Sequence, residues 1–139
     1  MHIVLQVLAA SAQIEKAAHR LFRPHGLSAA QFNILNLLAD QPDGLRASQL
    51  AEALIVDPSN VTGLVKRLKA DRYLRSVDSP QDRRQHVVVL TDRGRARWQQ
   101  AVRDYEQALA AIGTGLSARD LAAAGRILRH LQDRAQARG

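Results

Sequence analysis

A break in period constrains this chain more than any other feature. Up to Asp71 the apolar residues recur at helical spacing. From Tyr73 the chain turns to two short runs, Tyr73 to Val77 and the valine-rich Gln85 to Leu90, and helical spacing resumes after Thr91. Asp78 to Asp82, with Ser79-Pro80, reads as the turn between two strands. At the tip stand Asp82-Arg83-Arg84, and Leu90-Thr91-Asp92-Arg93-Gly94 leads from the second strand into a helix cap. A hairpin set between helices, with two arginines at its tip that no packing requires, predicts a mainly α fold carrying a small β-hairpin wing.

The helices around the hairpin can be placed from caps and stripes. A first helix is expected from Ile3 to Phe22, stopping before Pro24, and a second from the N-cap Ser28, with Phe32, Leu35 and Leu38 inward. The turn cluster Asp40-Gln41-Pro42-Asp43-Gly44 ends it. A short helix from Ala47 to Ile55 follows, then one capped by Asp57 with Pro58 at its first position and the stripe Val61, Leu64, Val65 and Leu68. Two helices joined by a few residues form a helix-turn-helix. After Thr91 come Trp98, Val102, Tyr105, Leu109 and Ile112 at alternating spacings of four and three. Gly113 and Gly115 end that helix, and Ser117 with Asp120 predicts a capping box for a last one carrying Leu121, Ala124, Leu128, Leu131 and Ala135. The first helix shows the same alternation in Ile3, Val7, Ala10, Ile14, Ala17 and Leu21. Three terminal helices with coiled-coil-like stripes predict a homodimer. The expected division is residues 1–27 and 92–139 for dimerisation and 28–91 for the winged helix-turn-helix reader.

Composition narrows the function. The 139 residues carry 20 Lys and Arg against 13 Asp and Glu, a formal charge of +7, which suits a polyanionic partner. There is no cysteine, so disulfides, thiolate metal sites and thiol chemistry are excluded. The five histidines lack ligand spacing, and no nucleophile–base pair or glycine-rich phosphate loop is evident. The expectation is no enzyme, no cofactor and no metal. The apolar run from Ile3 to Ala12 lacks a basic flank, is interrupted by Gln6 and continues as a helical stripe, so it reads as a helix rather than a leader. No segment approaches a membrane span, and the expected location is cytoplasmic.

The charge sits where a DNA reader needs it. Opposite the apolar stripe, the helix beginning at Pro58 shows Ser59, Asn60, Thr62, Gly63, Lys66, Arg67 and Lys69. Small polar residues near its start suit base edges in a major groove, and the cations beyond suit phosphates. From Pro58 to Val77 there are five cations, ending in Arg72 and Arg75, against the single anion Asp71. Arg83 and Arg84 suit a narrow minor groove, and Asp82 is placed to orient Arg84 through a charge-assisted hydrogen bond. The candidate DNA contacts are therefore Ser59, Asn60, Thr62, Gly63, Lys66, Arg67, Arg75, Arg83 and Arg84.

These motifs resemble the MarR family of transcriptional regulators over essentially the whole chain. The resemblance rests on Leu50-Ala51-Glu52, Pro58-Ser59-Asn60-Val61-Thr62, Leu68 and Arg75. The wing set Asp82, Arg84, Leu90, Thr91 and Gly94 is its most specific part, and Gly26-Leu27-Ser28 with Gln31 and Phe32 adds to it. It implies a homodimer on double-stranded DNA with a near-palindromic operator. It also implies a cleft for a small aromatic or phenolic effector, near which His19, Arg20, His25 and Asn36 fall. Two positions depart from the family pattern. Arg46 replaces a capping Ser or Thr, and Arg72 replaces a glycine and is expected to be strained if left-handed. The rival readings are a winged-helix protein-interaction module and a DNA-binding protein without an effector.

Overall fold

A computed structural model describes residues 2–54 and 58–139. Its elements run α1 (Ile3–Phe22), α2 (Ala29–Ala39), α3 (Ala47–Leu54), α4 (Pro58–Ala70), β1 (Leu74–Asp78), β2 (His86–Leu90), α5 (Asp92–Ile112) and α6 (Ala118–Gln136). The expected cap Asp57 and the expected helix end Ile55 lie outside the described residues. A single 3-10 turn, Arg23–His25, follows α1 and closes on Gly26 at φ +69°. The chain divides into two compact units, residues 1–105 and 106–139.

The first unit is built on α2. Its Phe32, Ile34, Leu35 and Leu38 are all fully buried. Ser28 starts this helix with a complete capping box: its hydroxyl accepts from the Gln31 N–H at 3.1 Å, and the Gln31 side chain accepts from the Ser28 N–H at 2.9 Å. Phe22 from α1 stacks on Phe32 with centroids 4.3 Å apart, and Tyr105 from α5 lies 4.9 Å from Phe32. Leu50 and Ala51 of α3, Val61, Val65 and Leu68 of α4, Leu74 of β1 and Val88 of β2 complete the core. The apolar stripes of α3 and α4 are thus buried together, which sets α4 with its polar face outward.

The hairpin is antiparallel, with Leu74 opposite Leu90 and Asp78 opposite His86. Each strand begins one residue later than the sequence pattern suggests. The Tyr73 N–H is held by the end of α4, donating to the Leu68 carbonyl at 2.9 Å, while its carbonyl still accepts from the Thr91 N–H at 3.0 Å. A second pairing, not legible in the sequence, joins Leu45 to Val88 on the other side of β2 through bonds of 3.1 and 2.9 Å. The preceding Gly44 lies against Val87 and Val89 at φ +79°. A Cβ there would stand 2.6 Å from the Val88 carbonyl oxygen, so this close approach requires glycine. With β2 paired along both edges, by β1 and by Leu45, Val87, Val88 and Val89 are all buried.

The second unit contains the end of α5 and all of α6. Ser117 caps α6 by the same reciprocal device as Ser28, with Asp120 as its acidic partner. Within this unit Ile112, Leu116, Leu121, Ile127 and Leu128 are exposed. No described helix is long and apolar enough to cross a membrane.

Candidate nucleic-acid interface

The recognition face follows from the packing of α4. Because Val61, Val65 and Leu68 point into the core, Ser59, Asn60, Thr62, Gly63, Lys66, Arg67 and Lys69 are all exposed. Gly63 lies mid-helix, and a Cβ added to it would meet nothing within 4 Å. Such a glycine weakens the helix and gains no packing in return. It leaves a shallow notch flanked by Asn60, Arg67 and, from α2, Ala30.

The wing stands beside this face. Between the strands, Ser79 is buried; its N–H donates to the Gln85 carbonyl at 2.8 Å and its hydroxyl donates to Gln81. The Asp82 carboxylate accepts from the Arg84 backbone N–H at 3.0 Å, and the Asp82 carbonyl accepts from the Gln85 N–H. The expected Asp82–Arg84 hydrogen bond is therefore made to the Arg84 main chain. The short Asp side chain turns back on its own loop and fixes the main chain of the tip. Arg83 and Arg84 project from that tip, and Arg75 lies exposed on β1 opposite Val89. Among the described residues no ion pair neutralises Lys66, Arg67, Lys69, Arg75, Arg83 or Arg84. An uncompensated cationic surface of this kind attracts a polyanion.

The end of α4 is tied to the start of α5. The Tyr73 N–H reaches the Leu68 carbonyl and the Arg72 N–H the Lys69 carbonyl, the Schellman pair of bonds. Arg72 occupies the left-handed position at φ +63°, the single non-glycine positive φ among the described residues. Thr91 clasps the junction: its hydroxyl donates to the Arg72 carbonyl at 2.6 Å and accepts from the Gly94 N–H at 3.0 Å, capping α5. A Cβ on Gly94 would fall 2.0 Å from the Tyr73 carbonyl oxygen, so α5 can dock here only with glycine at that place. Arg93 donates to the Asp71 carbonyl at 3.0 Å and lies over the Tyr73 ring. Thr91 and Gly94 therefore join α4, the wing and α5 at one corner.

Known proteins resemble the chain in this arrangement. The MarR family model matches residues 25–85. The transcriptional activatory protein BadR of Rhodopseudomonas palustris is 31% identical over 88 residues, 62% of this chain and 50% of BadR. The chain spans about half the length of the first curated relatives it matches. The M. tuberculosis regulator MosR, solved in complex with DNA, is 25% identical, with a TM-score of 0.79 over 99% of this chain and 98% of that one. BpsR of Bordetella bronchiseptica, whose DNA binding is regulated by 6-hydroxynicotinic acid, is 31% identical, with a TM-score of 0.78 over 94% of this chain and 93% of BpsR. The chain belongs to the MarR family. BadR is a transcriptional activatory protein and MosR a transcriptional regulator.

Both departures from the MarR pattern have local consequences. At Arg46 half of a capping box survives: the Gln49 side chain accepts from the Arg46 N–H at 2.8 Å, while the Arg46 guanidinium donates to Gln85 at 3.4 Å. Arg72 keeps the glycine-type backbone with a side chain attached.

The four residues expected near an effector cleft fall into two sets. His25 pairs through Nε2 with the Asp104 carboxylate at 2.7 Å, and the Asn36 carbonyl oxygen accepts from the Trp98 indole N–H at 2.9 Å. These bonds fasten the 3-10 turn and α2 to α5. His19 and Arg20 instead line an open groove along α1 with Glu15 and Lys16. The reason is long-range pairing, because α5 supplies polar partners for His25 and Asn36.

Proposed function

We propose that this protein is a sequence-specific, double-stranded-DNA-binding transcriptional regulator. It acts as a homodimeric repressor of a near-palindromic operator and is relieved by a small aromatic or phenolic effector. The observation that carries this reading is the pairing of small polar side chains with unneutralised cations on α4, next to a wing that presents Arg83 and Arg84. Residues 28–91 form the reader, and residues 1–27 and 92–139 the dimerisation region, in the cytoplasm where the DNA is.

In this reading α4 enters a major groove with Asn60 and Thr62 toward base edges, Ser59 and Gly63 allow close approach, and Lys66, Arg67 and Arg75 meet phosphates. Arg83 and Arg84 enter the flanking minor groove from a loop that Asp82 holds. The Thr91 clasp couples α5 to the end of α4, so a shift of α5 carries the recognition helix with it. An effector that favours a different α5 position would change the spacing of two readers on one operator. The regulated DNA binding of BpsR supports an effector for this relative.

The test is a titration against duplex DNA from the upstream region of its own gene, at two salt concentrations with non-specific competitor. Saturable, competitor-resistant binding of two protomers per site is expected. Failure to bind any duplex at low salt would favour the protein-interaction module. A rise in thermal stability with 6-hydroxynicotinic acid, with loss of the DNA complex, is the effector test; an unchanged complex across a panel of aromatic acids would leave an effector-independent DNA-binding protein.

A further inference from the structure

If α4 occupies a major groove and the wing the adjoining minor groove, the sugar–phosphate strand dividing those grooves must cross the surface between them. That surface holds a cleft of about 300 Å³. Val65 and Val88 belong to its floor, and Lys66, Lys69, Ser76 and His86 line it from α4, β1 and β2. None of the described residues lining it is a carboxylate. We propose that this cleft seats one sugar–phosphate unit of the strand between the two grooves, with Lys69, Ser76 and His86 as backbone contacts beside Lys66. The proposal rests on the DNA-binding reading.

The chemistry of the lining selects this occupant. An apolar floor suits the carbon face of a deoxyribose, whereas the two ammonium groups, a hydroxyl and an imidazole suit phosphate oxygens. Lys69 forms no ion pair with a described carboxylate. It lies one helical turn beyond Lys66, so both ammoniums reach one side of α4. His86 Nδ1 stands 3.3 Å from the Asp78 carboxylate at the outer end of the hairpin. Asp78 therefore competes with a phosphate for His86 and opposes the incoming negative charge. The sequence offers weak signals for this site: Lys69 is visible on the outward face, but only the hairpin register places Ser76 and His86 across from it.

The test measures binding of operator and random duplexes over a range of salt, using Lys69→Gln, Ser76→Ala, His86→Gln and Asp78→Asn, with Lys69→Arg as the conservative control. Lys69→Gln should weaken both duplexes alike, roughly tenfold at low salt, and lower the slope of log K against log salt by about 0.9. Lys69→Arg should keep the slope. Ser76→Ala and His86→Gln should weaken binding without changing operator preference, and Asp78→Asn should strengthen it, a gain that loss of folding cannot mimic. If the wild type binds its operator but Lys69→Gln leaves affinity and slope unchanged, the cleft is not a phosphate seat while the regulator reading stands. Loss confined to the operator duplex would also overturn it, by making these residues base readers. If the wild type binds no duplex, both fall together.

Discussion

At the scale of single residues, two positions carry a conformation or a gap that a different side chain would improve locally. Arg72 holds the left-handed backbone that ends α4, with its carbonyl in the Thr91 clasp. Left-handed backbone costs a residue with a Cβ about 1 kcal/mol more than glycine. Arg72→Gly should therefore raise stability by about 1 kcal/mol, offset in part by the greater freedom of glycine in the unfolded chain. Urea unfolding checks this; a fall in the midpoint would show that the Arg72 side chain contributes more than its backbone costs. Gly63 is the converse case. Alanine there meets no neighbour and should stabilise α4 by up to about 1 kcal/mol. In the proposed reading it should also weaken operator binding by filling the notch beside Asn60 and Arg67. Higher stability with undiminished affinity would remove Gly63 from the interface.

At the scale of elements, the capping boxes have a consequence in acid. The Ser117 N–H and hydroxyl both donate to the Asp120 carboxylate, at 2.9 and 2.8 Å, and hold its pKa below the ordinary aspartate value. A carboxylate depressed in the folded state stabilises above its unfolded pKa and loses that contribution as pH falls through the folded one. Asp120→Asn should consequently destabilise α6 at neutral pH, and the gap to wild type should close as pH falls through the carboxylate range. Circular dichroism of both full-length proteins across that range decides it; a constant gap would assign the effect to helix propensity. Ser117 and Asp120 were legible in the sequence because a cap is a local signal, as was the Ser28 N-cap, though not its partner Gln31. The first strand was displaced by one residue because the Tyr73 N–H is taken by the Schellman bond to Leu68, a competitor that alternation cannot reveal. The Leu45 bridge was invisible, since a single pairing leaves no periodic trace. The partners of His25 and Asn36 were invisible for a third reason: Asp104 and Trp98 lie 79 and 62 residues away in sequence, and no spacing rule spans such distances.

At the scale of the whole molecule, each compact unit leaves apolar side chains uncovered. On α1 of the first unit, Leu5 and Leu8 are 57% and 60% exposed. In the second unit, Ile112 is 56% exposed and Leu121 51%. Rows of this kind on terminal helices suit burial against a second copy, which is the observation supporting the proposed homodimer. The dimer in turn bears on affinity. Two readers on half-sites one helical turn apart, roughly 34 Å, would engage one operator together, and the second contact becomes intramolecular. The double substitution Ile112→Glu with Leu121→Glu places carboxylates on that surface but leaves α4, the wing and the Thr91 clasp untouched. Sedimentation should then show a monomer whose thermal unfolding remains cooperative. Operator affinity should fall at least a hundredfold. The more telling readout is the salt dependence, because the number of phosphates neutralised per binding event should halve, and with it the slope of log K against log salt. A variant that stays dimeric would place the interface elsewhere. A monomer with the full wild-type slope would show that one copy makes every phosphate contact, and that the two-reader operator is wrong.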